Sequence, residues 1–183
     1  MPAAGGKNPP AAGALLEPAD HALGRSRGGV GTKVHLVTDG RGLPLALHLT
    51  GGQRQECEVL EPVLEAVRIR LPRGRPRQRP AALAGDKAYS FPRLRRWLRA
   101  RHVRAVIPER RDQQDRRRHR PGRRPAFDRV AYRQRNVIER AVGWLKERRR
   151  IATRYEKLAI QYLAMLYVGL IEKYLTTLFA DTA

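Results

Sequence analysis

Residues 81–107, AALAGDKAYSFPRLRRWLRARHVRAVI, decide the fold class of this chain. Residues 81–85 are a short apolar run that leads directly into Asp86, which predicts a buried strand with an acid at its C-terminal end. A helix is predicted over residues 92–101, followed by a second buried strand over residues 103–107. The apolar positions of this helix are Leu94, Trp97 and Leu98. A strand, a helix and a strand within about 27 residues predict one parallel crossover unit.

The sequence before this unit predicts a β-hairpin and a helix. Residues 32–38 alternate and are rich in β-branched side chains, residues 39–42 form a turn, and residues 43–50 form a second strand. After Gly51-Gly52 the apolar period changes to 3.6 residues, which predicts an amphipathic helix. Its apolar face consists of Val59, Leu60, Val63, Leu64 and Val67.

Two further helices and two basic loops are predicted beyond residue 67. Residues 71–80 are basic and rich in proline, and residues 110–125 carry many arginines without an apolar position, so both are predicted as solvated loops. We place the second basic loop at residues 108–126. Long helical patterns cover residues 127–150 and 159–178. The order of elements predicts an α/β fold with a mixed sheet and flanking helices.

The N-terminal segment differs in composition from the rest of the chain. Thirteen of its first 20 residues are Ala, Gly or Pro, and they show no apolar period. Such a segment buries too little apolar surface to offset the entropy of ordering it. We therefore predict a flexible arm over residues 1–23 and a single domain over residues 24–183, a common size for one domain.

Charge indicates the class of partner. The 183 residues carry 38 Lys and Arg against 17 Asp and Glu, a formal net charge of +21. Nucleic acid is the expected partner, because cations that neutralise phosphates release condensed counterions. A basic RNA-binding protein of the ribosome would have the same charge. The single Cys excludes a disulfide framework, and no apolar segment is long enough to cross a membrane, so we expect a cytoplasmic protein.

Four residues with chemically useful side chains share one face of the predicted helix 127–150. Tyr132, Arg135, Glu139 and Lys146 fall within an arc of roughly 60° at about 100° per residue. Such a face suits phosphate chemistry, since a glutamate can hold a divalent metal while the cations hold phosphate oxygens. The alternative is an exposed helix face with an ion pair between Arg135 and Glu139 at i, i+4 spacing.

The spacing of these four residues resembles the glutamate-end signature of DDE transposases from bacterial insertion sequences. Two more stretches resemble the insertion-sequence-five-like group of this superfamily: Gly24-Arg25-Ser26-Arg27-Gly28-Gly29 and Gly85-Asp86-Lys87-Ala88-Tyr89. The basic segment from Arg148 to Lys157 is also similar to the C-terminal sequence of this family. The resemblance covers nearly everything from Asp20 onward.

The resemblance implies a ribonuclease-H-like fold and an enzyme that cuts and joins double-stranded DNA, at the ends of the insertion sequence and at its target. It implies two divalent metals, Mg²⁺ with Mn²⁺ as a substitute, held by carboxylates that include Asp86 as the second acid and Glu139 as the third. The active form is expected to be a homodimer. The side chains expected to contact DNA are Lys87, Arg116, Arg117, Arg118, Tyr132, Arg135 and Lys146. The alternative for the arginines at 116–118 is that they lie in a solvated loop and contact no phosphate.

The chain departs from the family at the first acid. In the family this Asp lies on the first central strand, upstream of the glycine-rich turn, and here only the N-terminal arm precedes that turn. We therefore expect the first central strand and its Asp to be lacking. Asp20 lies in the arm and Asp39 in the hairpin turn, so neither is expected to replace it. The alternative function is a catalytically inactive fragment that binds DNA.

Three other groups of residues are weaker candidates for a chemical function. His35 and His48 face each other across the hairpin, but two histidines without a third ligand are typical of a strand face rather than a metal site. Cys57 is expected to be a structural thiol at a helix start. Gln53 and Glu56 match a family segment near the active site, or form a turn and a helix cap.

Overall fold

The structure is a computed structural model that describes residues 21–119 and 125–180. Most of the predicted N-terminal arm, residues 1–20, and the part of the second basic segment at 120–124 lie outside the described residues. No helix within the described ranges is long and apolar enough to cross a membrane.

The predicted β-hairpin is confirmed and has one extra strand. Strands β1 (Gly24–Ser26), β2 (Gly29–Thr38) and β3 (Pro44–Gly51) form an antiparallel sheet in that order. His35 is paired with His48 in the register. The Asp39 carboxylate closes the β2–β3 turn, because its Oδ1 accepts hydrogen bonds from the backbone N–H groups of Arg41 at 2.9 Å and Leu43 at 2.8 Å.

The predicted helix after the hairpin and the predicted crossover unit are confirmed. Helix α1 spans Glu56–Glu65. Strand β4 (Ala82–Ala84) is followed by a 3-10 turn at Lys87–Tyr89, helix α2 (Pro92–Ala100) and strand β5 (Arg104–Val106). β4 and β5 pair in parallel, with Leu83 opposite Ala105. Asp86 therefore lies just past the C-terminal end of a strand, as its position in the sequence predicts.

The α/β class is confirmed, but the prediction of one mixed sheet is wrong for the described residues. They form a three-stranded antiparallel sheet and a separate two-stranded parallel sheet. Side chains rather than backbone hydrogen bonds join the two sheets. Val37 of β2, Leu64 of α1 and Leu83 of β4 belong to one apolar cluster.

The predicted loop at 108–126 contains a helix, α3 (Arg111–His119), so that prediction is wrong in its central part. Helix α3 has no buried residue and no apolar face, which is why hydrophobic periodicity does not detect it. Its charges explain its stability: Asp112 lies in the first turn and basic side chains fill the last turn, an order that complements the helix dipole.

The predicted long helix 127–150 is three helices. They are α4 (Arg129–Arg133), α5 (Asn136–Lys146) and α6 (Arg149–Ala152). The second break falls at Arg148, whose backbone is extended with φ −88° and ψ 110°. Contacts of its side chain favour this break: the guanidinium lies 3.3 Å from the centroid of the Trp144 ring and pairs with Glu172. The last predicted helix is confirmed as α7 (Ala159–Ala180).

Strand β2 lies between two cores. Val34 and Leu36 pack against a cluster that links the hairpin to helices α5–α7, whereas Val37 packs against the cluster of α1, α2 and β5. Alternate residues of a strand point to opposite faces, so β2 is covered on both sides. The buried residues of the first cluster are Leu47, Leu145, Ile151, Tyr162, Leu166 and Leu170. Those of the second are Leu64, Leu94, Leu98, Val103 and Ile107.

Candidate active site and nucleic-acid interface

The Asp86 carboxylate is fixed at the end of β4 by the turn that follows it. Its backbone is extended, with φ −75° and ψ 177°, and its Oδ1 accepts a hydrogen bond from the backbone N–H of Ala88 at 2.8 Å. This contact caps the 3-10 turn in the way that a carboxylate caps a helix N-terminus. The side chain is therefore held in one place before any ligand binds.

A polar network missed by the sequence analysis supports the loop that carries Asp86. Ser90 is fully buried, and its Oγ donates to Oε1 of Gln113 in α3 at 2.7 Å. The Arg95 guanidinium donates to Ser90 Oγ at 3.0 Å and to the carbonyl oxygen of Ile107 at 2.7 Å. Gln113 also donates through Nε2 to the carbonyl oxygen of Ser90. The basic helix α3 is thus attached directly to the loop after Asp86.

Glu139 lies in the first turn of α5 and is paired with a cation. Its Oε1 accepts a hydrogen bond from Nη2 of Arg135 at 2.5 Å, and its side chain is 57% exposed. The Arg135 guanidinium also lies 5.5 Å from the centroid of the Tyr132 ring. The i, i+4 ion pair that the sequence offered as an alternative is therefore present, and it involves the predicted glutamate.

The predicted shared face of Tyr132, Arg135, Glu139 and Lys146 is kept although the helix breaks between α4 and α5. Arg135 lies at the junction with φ −55° and ψ −23°, which are helical values, so the spacing from Tyr132 to Glu139 stays close to that of one helix. Lys146 is the exposed last residue of α5, roughly 10 Å along the helix axis from Glu139 at 1.5 Å per residue.

Both predicted acids act electrostatically on the same guanidinium. Partial burial acts to lower the pKa of Arg135, but its hydrogen bond with Glu139 and the neighbouring charges raise the pKa on balance. The groups whose charges contribute are Tyr132, Glu139 and Asp86. Arg135 therefore lies within the electrostatic reach of a strand-end carboxylate and a helix carboxylate that are 53 positions apart in sequence (139 − 86).

Asp128 positions α4 and was not singled out from the sequence. Its Oδ1 accepts a hydrogen bond from the backbone N–H of Ala131 at 2.9 Å, and its Oδ2 accepts one from Arg104 of β5 at 2.9 Å. The hydrogen bond from Ala131, aided by the Arg104 charge, lowers the pKa of Asp128. An Asp just before a helical segment is a recognisable N-cap. Because the predicted helix begins at residue 127, it places Asp128 inside the helix, and the cap was not recognised.

The predicted DNA-contacting side chains lie on two elements beside Asp86 and on α4 and α5. Lys87 is exposed and directly follows Asp86. On α3, Arg116 is exposed, whereas Arg117 pairs with Glu109 and Arg118 pairs with Asp115 at 3.3 Å. Local acids thus neutralise part of the charge of this helix.

The remaining candidates lie away from Asp86 or have structural partners. Asp39 acts on Tyr174 of α7, whose pKa is raised by burial and by the Asp39 charge, while Asp20 lies outside the described residues. His35 is buried, and its Nε2 is 2.8 Å from Oγ1 of Thr50. Gln53 is exposed in the turn before α1, Glu56 begins α1 and pairs with Lys33 at 3.9 Å, and Cys57 follows in its first turn.

Comparison with known proteins identifies the family. A profile of the family described as "Transposase DDE domain" matches residues 16–171. The chain belongs to this DDE transposase family. It is similar to the protein named "Putative transposase for insertion sequence element IS402" from Burkholderia cepacia, with 37% identity over 140 residues. The aligned part covers 76% of this chain and 60% of that relative. No solved structure matches the chain.

DDE transposases generally use divalent metal ions, and the chemistry of the two acids suits such an ion in this chain. Asp86 and Glu139 offer carboxylate oxygens, the ligands that hard divalent cations prefer. However, residues 21–119 and 125–180 contain no group of three or more His, Cys, Asp or Glu side chains that could hold a metal. Asp86 and Glu139 therefore remain candidate ligands, with no third acid grouped beside them among the described residues.

Proposed function

We propose that this chain is the catalytic part of an insertion-sequence transposase, which cuts and joins double-stranded DNA at the ends of the element and at its target. The observation that carries the proposal is the hydrogen-bonded pair of Glu139 and Arg135 at the start of α5, with the Asp86 charge at the end of β4 also acting on the Arg135 guanidinium. A strand-end acid and a helix acid placed in this way are what the ribonuclease-H-like fold of the family requires, and we propose that fold for the complete domain.

We propose Mg²⁺, with Mn²⁺ as a substitute, as the cofactor held by Asp86 and Glu139. When bound, such ions lower the pKa of an attacking water or hydroxyl and stabilise the leaving oxygen of a phosphodiester. The chain's own part is to orient both carboxylates. The Ala88 N–H does this for Asp86, and the Arg135 guanidinium does it for Glu139.

Arg135 has a second proposed task, which is to bind the substrate phosphate. A guanidinium binds phosphate oxygens through paired hydrogen bonds, so a DNA phosphate can replace the Glu139 carboxylate as its partner. That exchange would free Glu139 to act as a ligand. Lys146 contributes exposed charge at the end of α5 and Lys87 contributes it next to Asp86, and Tyr132 holds the Arg135 side chain in place through its ring.

A second candidate function is DNA binding without catalysis. It is favoured by the lack of a third acidic ligand among the described residues. A two-metal site needs ligands that hold both ions. We therefore expect this chain alone to show weak nicking at most, and a chain extended upstream by an Asp-bearing strand to cleave and join DNA.

The experiment compares this chain with the upstream-extended chain in a strand-cleavage and strand-joining assay. The assay uses Mg²⁺ and DNA that carries the element's ends. The matched variants are Glu139→Gln and, as a control, Glu147→Gln, an exposed acid at the end of the same helix. We expect the first variant to abolish the activity of the extended chain and the second to leave it unchanged. Full activity of the extended Glu139→Gln variant would contradict the proposal, and full activity of the short chain would contradict the expected lack of a third acid.

We also propose a homodimer that forms through α7. Seven large apolar side chains of this helix are 47–67% exposed: Ile160, Tyr167, Val168, Ile171, Leu175, Leu178 and Phe179. Contiguous exposed apolar surface of this kind marks a site of protein–protein interaction. A second copy fits this surface because α7 carries only the charges of Glu172 and Lys173 in a chain of net charge +21.

The double variant Val168→Glu/Ile171→Glu tests the dimer by sedimentation. Both positions are exposed, so folding is preserved while like charges face each other in a dimer. A parent chain that stays monomeric at every concentration, or a variant that dimerises equally well, would contradict this proposal.

A further inference from the structure

The segment 68–79, here called the arginine turn, is an exposed structure that the candidate active site does not use. Ile69 and Arg77 form an antiparallel bridge with two backbone hydrogen bonds of 2.9 and 2.8 Å. The chain between them closes as a turn, with Gly74 at φ +89°. This turn presents the sequence Pro72-Arg73-Gly74-Arg75-Pro76, and each of these residues is exposed.

The charge of the arginine turn is not neutralised within the described protein. The turn has six arginines and no acid in twelve residues, and none of these arginines forms an ion pair with a carboxylate of the described residues. The charge at helix α3, by contrast, is partly neutralised by local acids. Arg110 pairs with Asp112 at 3.4 Å, and Arg118 pairs with Asp115 at 3.3 Å. A concentrated positive charge of this kind is costly to the fold unless an anion compensates it.

The order of residues in the turn suits one part of DNA. The minor groove is only about 6 Å wide, and in A·T tracts it is narrower and more negative, which attracts inserted arginines. Gly74 has no side chain, and a Cβ built on it would meet nothing within 4 Å, so the turn has a bare tip. An arginine on each side of that tip can extend along the groove floor. Pro72 and Pro76 restrict the backbone and reduce the entropy lost on binding.

A G·C pair opposes such insertion. Its guanine N2 amino group projects into the minor groove and donates hydrogen bonds, whereas A·T pairs present only acceptors there. A guanidinium is itself donor-only, so it is complementary to the A·T floor and not to the guanine amino group. Homeodomain arms use two arginines two positions apart in the minor groove in the same way.

We propose that the arginine turn inserts residues 72–76 into the minor groove of A·T-rich DNA and so gives this chain a preference for such sequence. The inference rests on the proposed DNA binding and adds a place and a base preference to it. Residues 77–85 place the tip of the turn at the opposite end of β4 from Asp86, with Pro76 at most roughly 33 Å away along an extended chain of ten residues. The turn therefore contacts DNA beside the reacting phosphate rather than at it.

The test uses the full chain and three duplexes of equal length whose central tract is A·T, G·C or inosine·cytosine. Inosine lacks the N2 amino group, so its minor groove resembles that of A·T while its major groove resembles that of G·C. At physiological salt we expect the A·T and inosine·cytosine duplexes to bind about tenfold more tightly than the G·C duplex. Equal binding of all three, or binding of inosine·cytosine at the level of G·C, would overturn the proposal.

Two variants locate the preference. Arg73→Lys/Arg75→Lys keeps the charge but removes the planar guanidinium groups, and Gly74→Ala adds a methyl group at a positive φ. We expect both to lose the preference for A·T. The control Arg96→Lys/Arg99→Lys alters two exposed arginines of α2 outside the proposed DNA surface and is expected to keep it. Circular dichroism checks that each variant is folded.

The outcomes separate this inference from the proposed function. A folded chain that binds none of the duplexes would overturn both. A chain that binds all of them equally would overturn the minor-groove inference and leave the proposed function standing. A preference that survives in Arg73→Lys/Arg75→Lys would also overturn the inference, since the turn would not be its source.

Discussion

Substitution of Asp86 by asparagine or by alanine separates its structural contribution from its chemical one. Its Oδ1 caps the turn through the Ala88 N–H at 2.8 Å, and an asparagine side-chain oxygen can accept the same hydrogen bond. We expect Asp86→Asn to change the free energy of unfolding by less than about 0.5 kcal/mol. Asp86→Ala removes the acceptor, and the loss of such a cap costs about 1 kcal/mol.

The chemical effect of the asparagine variant is expected to be much larger. Removing one charged ligand from a metal site costs several kcal/mol of transition-state stabilisation, and each ~1.4 kcal/mol is tenfold in rate. We therefore expect metal-dependent nicking by the upstream-extended chain to fall at least about a hundredfold. DNA affinity is expected to stay the same or rise, because one carboxylate no longer repels the phosphates.

Urea denaturation, a nicking assay and fluorescence anisotropy on labelled DNA measure these three effects. Asp39→Asn is the matched control, because Asp39 also caps a turn through its carboxylate but is not one of the two proposed metal-binding acids. The reasoning would be refuted if Asp86→Asn destabilised the fold as much as Asp86→Ala, or if Asp39→Asn lost nicking to the same degree.

Three further predictions concern stability and binding. Burial, aided by the charges of His48 and Lys33, lowers the pKa of His35 to about 4 from 6.5, so its contribution is complete above pH 6.5 and is lost as the pH falls towards 4. We expect a loss of roughly 3 kcal/mol over that range, absent in His35→Gln, when urea unfolding is compared at several pH values. Arg154 donates to Oγ1 of Thr32 at 2.6 Å and to the carbonyl oxygens of His21, Glu156 and Lys157, each at 2.8 Å. Arg154→Ala should cost about 3 kcal/mol in thermal unfolding, and Arg154→Lys less; equal stability of the three chains would contradict this. DNA affinity should fall steeply with salt, and a flat plot of log affinity against log salt would count against any role for the arginines.

The sequence predicted correctly those elements whose spacing of apolar residues follows from the geometry of their own backbone. The alternation in residues 32–38 and the apolar spacing from Val59 to Val67 depend only on the geometry of a strand and a helix. Asp86 was placed at a strand end for the same reason, since it directly follows an apolar run. The spacing of Tyr132, Arg135, Glu139 and Lys146, together with the stretches at 24–29, 85–89 and 148–157, predicted the family, which comparison with known proteins confirms.

The elements that were predicted wrongly depend on partners distant in sequence. Helix α3 has no apolar face, and Gln113 attaches it to Ser90, which is 23 positions away. The break at Arg148 follows from contacts with Trp144 and with Glu172 of α7. A propensity pattern contains no information on such pairings, because the energy of a buried or paired polar group depends on what the fold brings next to it.

The sequence by itself determined the hairpin, the crossover unit and the last helix, the charge of the chain and which acids have the family's spacing. Only the tertiary structure decided that Asp86 and Glu139 act on one guanidinium, that α3 lies against the Asp86 loop, and that the described strands form two sheets. The physical reason is the range of the interactions. Hydrophobic period and capping act over one or two turns of chain, whereas ion pairing and polar burial join residues that only folding brings together.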